Sequence, residues 1–253
     1  MMAAMKLLVV NPNTSAPMTA QIEAAARGAA AAGTQVTAVT APFGPESIEG
    51  HYDEAIAAAA VAQVVREQQG GATREGRHDA VVLACFGDPG LDAAREATSA
   101  PVLGIAEAAF HAASFIATGF SVVTTMTRTC VIAERLVQRY GFERSCRGIH
   151  GTDIAVLDLD DPASDAFARI EAVARAALER DRSGAIVLGC AGMTTLTRAL
   201  QERLQVPVID GVAAAVKFAE ALVGLGLCTS QRGDYAPPLP KRYAGWAAPL
   251  GWP

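Results

Sequence analysis

Cys85 and Cys190 are the residues of this chain best placed to do chemistry. The first closes the run Ala80-Val81-Val82-Leu83-Ala84-Cys85-Phe86-Gly87, and the second closes Ala185-Ile186-Val187-Leu188-Gly189-Cys190-Ala191-Gly192. In each, small and branched apolar side chains lead to a cysteine, then one residue, then a glycine. An unperturbed thiol ionises at about pH 8.5, so thiol and thiolate are both within reach near neutrality. Two thiols on opposite sides of a small pocket could invert a stereocentre beside a carbonyl. A thiolate takes the α-proton, the other thiol delivers a proton to the opposite face, and the roles reverse for the other enantiomer. The enolate formed between the steps needs donors at its oxygen. Backbone N–H groups of Phe86-Gly87 and Ala191-Gly192 would supply them, with Gly87 and Gly192 permitting close approach to a ligand. A single cysteine at a strand end is ordinarily a small buried hydrophobe. The duplicated placement is what points to catalysis.

Short apolar runs ending in a glycine turn suit buried parallel strands, and open α/β sheets bind ligands at the carboxyl ends of such strands. The pattern of the whole chain agrees. Lys6 to Val10 reads as a first strand, followed by the polar turn Asn11-Pro12-Asn13-Thr14-Ser15. Ser15, with Pro17 two positions on, has the form of a helix start, and residues 18 to 32 read as helix with Gly33 as its stop. A strand over 35–41, a helix over 53–68, an exposed connection over 69–78 and the Cys85 strand follow. A short helix at 91–97, a strand at 101–105 and a helix over 106–118 complete the first set. The pattern then restarts. It runs through a strand over 120–125, a helix near 129–140, a strand near 153–157, a helix near 163–180 and the Cys190 strand. A short helix near 194–203 and the strand Pro207-Val208-Ile209 close it.

The cysteines stand 105 positions apart, and the strand starts Pro101-Val102 and Pro207-Val208 stand 106 apart. Two coincidences in register, with matching element order, indicate an internal duplication. The expected fold is therefore two similar α/β subdomains, each a mainly parallel sheet flanked by helices, related by a pseudo-two-fold axis with the site between them. The expected division is 1–105 and 119–228, with the helix over 106–118 returning to the first half or packing across. A proline-rich carboxyl arm over 229–253 holds both tryptophans and packs on its own subunit or a neighbour.

Other polar groups at the strand ends are candidates for substrate contact: Asn13 and Ser15 at the first, Thr124 and Thr125 at its repeat. Helix capping is the simpler role for Ser15. Phe43, in the loop Pro42-Phe43-Gly44-Pro45, could wall the pocket or belong to the core. Asp88 and Glu107 could orient a thiol or cap a helix, capping being the simpler role for both, and His51 reads as part of a solvated helix start. Cys130, Cys146 and Cys228 read as packing residues.

Composition narrows the class. The chain has 253 residues, 51% of them hydrophobic, and a formal charge of −5. No basic stretch offers a footprint for nucleic acid. The longest alanine-rich stretch carries Glu107 and His111, which argues against a membrane span. Five cysteines without framework spacing suit reduced thiols in the cytoplasm, and no signal-like segment is expected at the amino terminus. Histidine is scarce, with no cluster at metal-ligand spacing, so no metal site is expected.

Several stretches in order resemble the hydantoin racemase branch of the aspartate/glutamate racemase superfamily. They are Leu8-Val9-Val10-Asn11-Pro12-Asn13-Thr14-Ser15, Gly44-Pro45-Glu46-Ser47-Ile48-Glu49-Gly50, Cys85-Phe86-Gly87-Asp88-Pro89-Gly90, Ser121-Val122-Val123-Thr124-Thr125, Gly189-Cys190-Ala191-Gly192-Met193 and Tyr235-Ala236-Pro237-Pro238. The resemblance implies a racemase that uses no cofactor, with paired cysteines as acid and base, assembled as a homo-oligomer. It implies 5-substituted hydantoins or allantoin as small-molecule substrates. Aspartate and glutamate racemases carry Asn-Thr after each cysteine; here Phe86-Gly87 and Ala191-Gly192 follow, which suits a neutral cyclic imide. Arylmalonate decarboxylases share the fold but lack one of the two cysteines. Two other readings stay open: an amino-acid racemase or related isomerase, which a basic residue gripping a carboxylate would favour, and a binding protein without turnover.

Overall fold

The apolar runs that lead to Cys85 and Cys190 form buried strands, as expected. In the computed structural model, which describes residues 5–69, 77–160 and 164–252, β1 (Lys6–Asn11), β2 (Gln35–Thr40), β3 (Ala80–Leu83) and β4 (Val102–Gly104) form one sheet in the order β2-β1-β3-β4. The strands β5 (Phe120–Thr124), β6 (Cys146–Gly151), β7 (Ala185–Leu188) and β8 (Val208–Ile209) form a second in the order β6-β5-β7-β8. All pairings are parallel. The helices are α1 (Ala16–Ala29), α2 (His51–Gln69), α3 (Leu91–Ala97), α4 (Ile105–Ile116), α5 (Cys130–Arg139), α6 (Ala166–Asp181), α7 (Thr197–Leu204) and α8 (Gly211–Gly224). Most of the connection expected over 69–78, and residue 163, lie outside the described residues.

The central strands show why apolar runs replace alternation here. Leu7 to Val10 of β1, all of β3 and all of β7 are buried. Helices cover both faces, so neither side of the strand can be polar. The register repeats as well. Val10 pairs with Leu83 in the first sheet, and Val123 pairs with Leu188 in the second. The Ala84 N–H donates to the Val10 carbonyl at 2.9 Å, and the Gly189 N–H donates to the Val123 carbonyl at 2.8 Å. Both chains therefore leave their sheets at the same step, one residue before the cysteine.

The two sheets are joined by exchanged helices. Although α4 follows β4, its buried Ala106, Ala109, Phe110 and Ala113 pack with Phe120, Val122, Ala185 and Val187 of the second sheet. Conversely α8, which follows β8, sets Val212, Ala215, Val216 and Ala219 against Leu7, Val9, Ala80 and Val82 of the first. Phe110 is fully buried, stacked on Phe120 at 5.5 Å and edge-on to Phe86 at 5.6 Å. Burial of one such ring contributes about 1.5–3 kcal/mol. Where α4 and α8 begin they nearly touch. A Cβ on Gly211 would lie 2.6 Å from the Ile105 carbonyl oxygen, so only glycine allows this approach.

One expected strand is displaced. Residues 153–157 do not form one; the edge strand is β6, seven residues earlier at its start. Asp153 has φ 53°, which ends extended backbone; Ile154 is buried in the irregular segment that follows, and Val156 is buried at the start of a 3-10 helix, Val156–Asp160. Cys-Arg-Gly-Ile-His-Gly has no apolar alternation, because an edge strand is only half covered and needs none. A second expectation is also corrected. Cys130 and Cys146 are half-buried, but Cys228 is exposed just beyond α8 and packs no core.

The carboxyl arm lies along its own chain. The Thr229 N–H donates to the Ser99 carbonyl, the Tyr235 hydroxyl to Asp92, and Arg66 to the Gly251 carbonyl. No helix among the described residues is long and apolar enough to cross a membrane.

Candidate active site

Cys85 and Cys190 line one small pocket, ≈ 60 Å³, between the carboxyl ends of the two sheets. Two larger cavities, ≈ 500 and ≈ 630 Å³, lie elsewhere and contain neither thiol. Volume is a poorer guide to chemistry than two convergent nucleophiles.

The strand-end turns supply most of the wall. Phe86 and Gly87 flank Cys85, and Ala191 flanks Cys190, all on the pocket. The Asp88 N–H closes a turn on the Cys85 carbonyl at 3.0 Å, and the Met193 N–H closes the matching turn on the Cys190 carbonyl at 3.1 Å. Asn13, Thr124 and Thr125 also face the pocket. Their side chains do structural work too. Asn13 Oδ1 accepts from Asn11 Nδ2 at 2.8 Å and from the Ser15 N–H at 2.9 Å, which forms the turn after β1. Thr124 donates its hydroxyl to the Gly189 carbonyl at 2.9 Å, tying β5 to the approach of Cys190. Gly189 is glycine because a Cβ there would lie 2.6 Å from the Thr124 Cβ.

Three of the expected contacts are not brought to the pocket wall. Ser15 caps α1, its hydroxyl accepting from the Met18 N–H. Phe43 packs edge-on against Trp246 of the carboxyl arm, ring centres 6.0 Å apart. Gly192 lies behind Cys190, where a Cβ would meet Leu159 at 3.0 Å and the Cys190 sulfur at 3.7 Å. The wall also holds residues that sequence reasoning passed over: Met18, Ile48, Ile132, Val156 and Glu54. Nothing local distinguishes those apolar residues from core. Glu54 carried one signal, a charge in the first turn of a helix entered from the Gly44–Gly50 loop.

The electrostatics of the thiols are uneven. Burial pushes Cys85 up to about 12, against the Gly87 N–H, which favours thiolate; charge on Cys190, Asp88 and Glu54 pushes the same way as burial. At neutral pH Cys85 therefore rests as a thiol, and a thiolate on Cys190 reinforces that state.

Asp88 shows how the first half supports its cysteine loop. With φ 45°, a conformation Asp tolerates better than most residues, it turns its carboxylate onto the start of α4. There it accepts from the Ala106 N–H at 3.1 Å, the Glu107 N–H at 3.0 Å and the Tyr140 hydroxyl at 2.8 Å. Gly104 makes the room, since a Cβ would lie 2.2 Å from that carboxyl carbon. In the second half the position equivalent to Gly104 is Asp210, which caps α8 itself and accepts from Thr194 of the Cys190 loop.

Burial outweighs these donors and raises Asp88 to about 6. A raised carboxyl favours the protonated folded state. That contribution is complete below the unfolded value, about 3.9, and is lost as pH rises through about 6. The stability of the wild type relative to Asp88→Asn should therefore fall between about pH 4 and pH 6 and then level off. Thermal melts of both proteins across that window check it, and a constant difference would refute a titrating cap.

Residues 7–219 match the family described as Asp/Glu/Hydantoin racemase. A hydantoin racemase from Pseudomonas sp. (strain NS671) is 44% identical over 241 residues, 95% of each chain. The solved structure of an allantoin racemase from Klebsiella pneumoniae superposes with TM-score 0.93 at 51% identity, covering 98% of this chain and 99% of that one. That of an allantoin racemase from Pseudomonas fluorescens gives 0.89 at 39% identity, covering 95% and 100%.

Proposed function

The chain belongs to the Asp/Glu/hydantoin racemase family, and we propose that within it this isomerase interconverts the enantiomers of 5-monosubstituted hydantoins, allantoin included, using Cys85 and Cys190 and no cofactor. The observation that carries the reading is the pocket itself. It presents a thiol from each half of a duplicated chain, and no Lys, Arg or His stands among its described lining residues. A ligand with a carboxylate would find no cation to hold it, whereas a neutral ring needs none. An amino-acid racemase is disfavoured on that ground.

In one direction the Cys190 thiolate removes the proton from C5, breaking C–H and forming S–H, and the electron pair passes into the ring as an enolate. The Cys85 thiol then delivers its proton to the opposite face, forming the new C–H bond and leaving a thiolate. Backbone N–H groups after each cysteine, at Phe86-Gly87 and at Ala191, suit the enolate oxygen. The high proton affinity of Cys85 favours its return to the thiol state after release. The opposite enantiomer uses the same path in reverse.

The proposal extends to a cytoplasmic homo-oligomer. All five cysteines are free. Large apolar side chains such as Phe115, Ile116 and Leu227 stand exposed along α4 and after α8, which suits burial against further copies.

The direct test is incubation of single hydantoin enantiomers and of allantoin in D₂O, followed by circular dichroism and proton NMR, with aspartate and glutamate as comparison substrates. Loss of optical activity with deuterium entering C5 is expected for the hydantoins. Binding without exchange would leave a non-catalytic protein, and turnover of the amino acids would favour the other racemase class.

A further inference from the structure

We propose that Glu54 determines which ligands this pocket accepts: its carboxylate takes a hydrogen bond from an N–H of a neutral ring ligand and turns away ligands that carry a carboxylate. The inference rests on the racemase reading and deepens it.

Glu54 stands in the first turn of α2, its N–H bonded to the Gly50 carbonyl at 3.0 Å. Its side chain is 23% exposed, and its two oxygens face different ways. Oε2 lies 3.5 Å from Nδ1 of the exposed His51. Oε1 points to the cysteine loop, where it lies 2.9 Å from the place a Cβ on Gly87 would occupy. The glycine at 87 therefore admits the carboxylate as well as freeing the backbone. Glu54 is the one charged side chain among the described residues lining the thiol pocket.

Glu54, Gly87 and Ile132 also line an adjoining outer cavity of ≈ 340 Å³, which carries His51, Asp88, Arg135 and Arg139, the last paired with Asp92. The acid thus stands on the partition between this outer cavity and the thiol pocket. Anions that enter by the outer cavity meet the Glu54 carboxylate before they reach the cysteines. A neutral imide or ureide meets instead an acceptor for its N–H, a bond to a charged group and so a strong one. An unpaired charge set against the wrong ligand is a direct source of discrimination.

The test uses two competitive inhibitors that cannot racemise detectably in the assay. One is 5,5-dimethylhydantoin, neutral and without a C5 proton. The other is N-carbamoylalanine, the ring-opened carboxylate of 5-methylhydantoin. Inhibition constants are measured for wild type, Glu54→Gln and Glu54→Asp, with binding also followed by calorimetry so that the readout does not depend on turnover. Glu54→Gln, which keeps the size and removes the charge, should tighten N-carbamoylalanine about tenfold or more and weaken the neutral ring several-fold. Glu54→Asp should still reject the carboxylate while holding the ring less well. An unchanged ratio of the two constants in Glu54→Gln would overturn the inference while leaving the racemase reading intact. Failure of the wild type to racemise any hydantoin would instead remove the reading on which it rests.

Discussion

Replacing either Cys85 or Cys190 with serine is expected to lower racemisation by about 10²–10⁴-fold, the span general acid–base groups ordinarily supply. Serine keeps the shape of the side chain but holds its proton far too tightly to serve as base near neutrality. The two variants should differ in what survives. Each retains the thiol on one face, so each can still exchange the C5 proton of one enantiomer with solvent without completing inversion. Proton NMR in D₂O on each pure enantiomer reads this directly. Cys190→Ser leaves only Cys85, whose proton affinity is raised by burial to about 12. Removing the charge on Cys190 relieves part of that rise, yet burial remains, so residual exchange should be slower there and should gain from alkaline pH. Unimpaired turnover in either variant would end the two-thiol mechanism.

Gly211→Ala is expected to cost stability where a glycine-to-alanine change inside a helix would ordinarily help. The added Cβ would fall 2.6 Å from the Ile105 carbonyl oxygen and 3.0 Å from its Cβ. Backbone on the facing helix cannot swing aside as a flexible side chain would. Overpacking of this kind costs about 1–3 kcal/mol, a fall of roughly 2–10 °C in melting temperature for a chain of this size. Gly224 supplies the comparison. It ends the same helix with nothing within 4 Å of its would-be Cβ, so Gly224→Ala should be neutral or mildly stabilising. The same substitution in Gly211 should also reduce activity, because the start of α8 against α4 helps set how the two sheets, and hence the two thiols, face each other. Equal melting temperatures for the two variants would show that this crossing does not constrain the fold.

Much of the architecture was legible before any coordinates. Apolar runs marked β1, β3, β5 and β7, those of β3 and β7 ending in glycine turns, because a strand covered on both faces must be apolar throughout. The repeat separation from Cys85 to Cys190 announced two equivalent sheets. The polar edge strand β6 escaped notice because partial burial demands no pattern, and the apolar Ile154 and Val156 beside it imitated a strand. Within the site, Asn13, Thr124 and Thr125 were recognisable by their place after strands. Ser15 and Phe43 stand at similar places in the chain and turn elsewhere, to a helix start and to Trp246.

By itself the amino-acid order determined the element types, their duplication and the two chemical groups at matching strand ends, since these follow from local periodicity and turn chemistry. It could not determine that α4 and α8 trade sheets, because each helix is amphipathic toward whichever sheet it meets. Nor could it bring Glu54 to Gly87, thirty-odd residues away along the chain, or fold Asp88 over Gly104. Those contacts join elements whose spacing along the chain carries no trace of their meeting. Tertiary packing alone brought Cys85 and Cys190 to one pocket and set its charge.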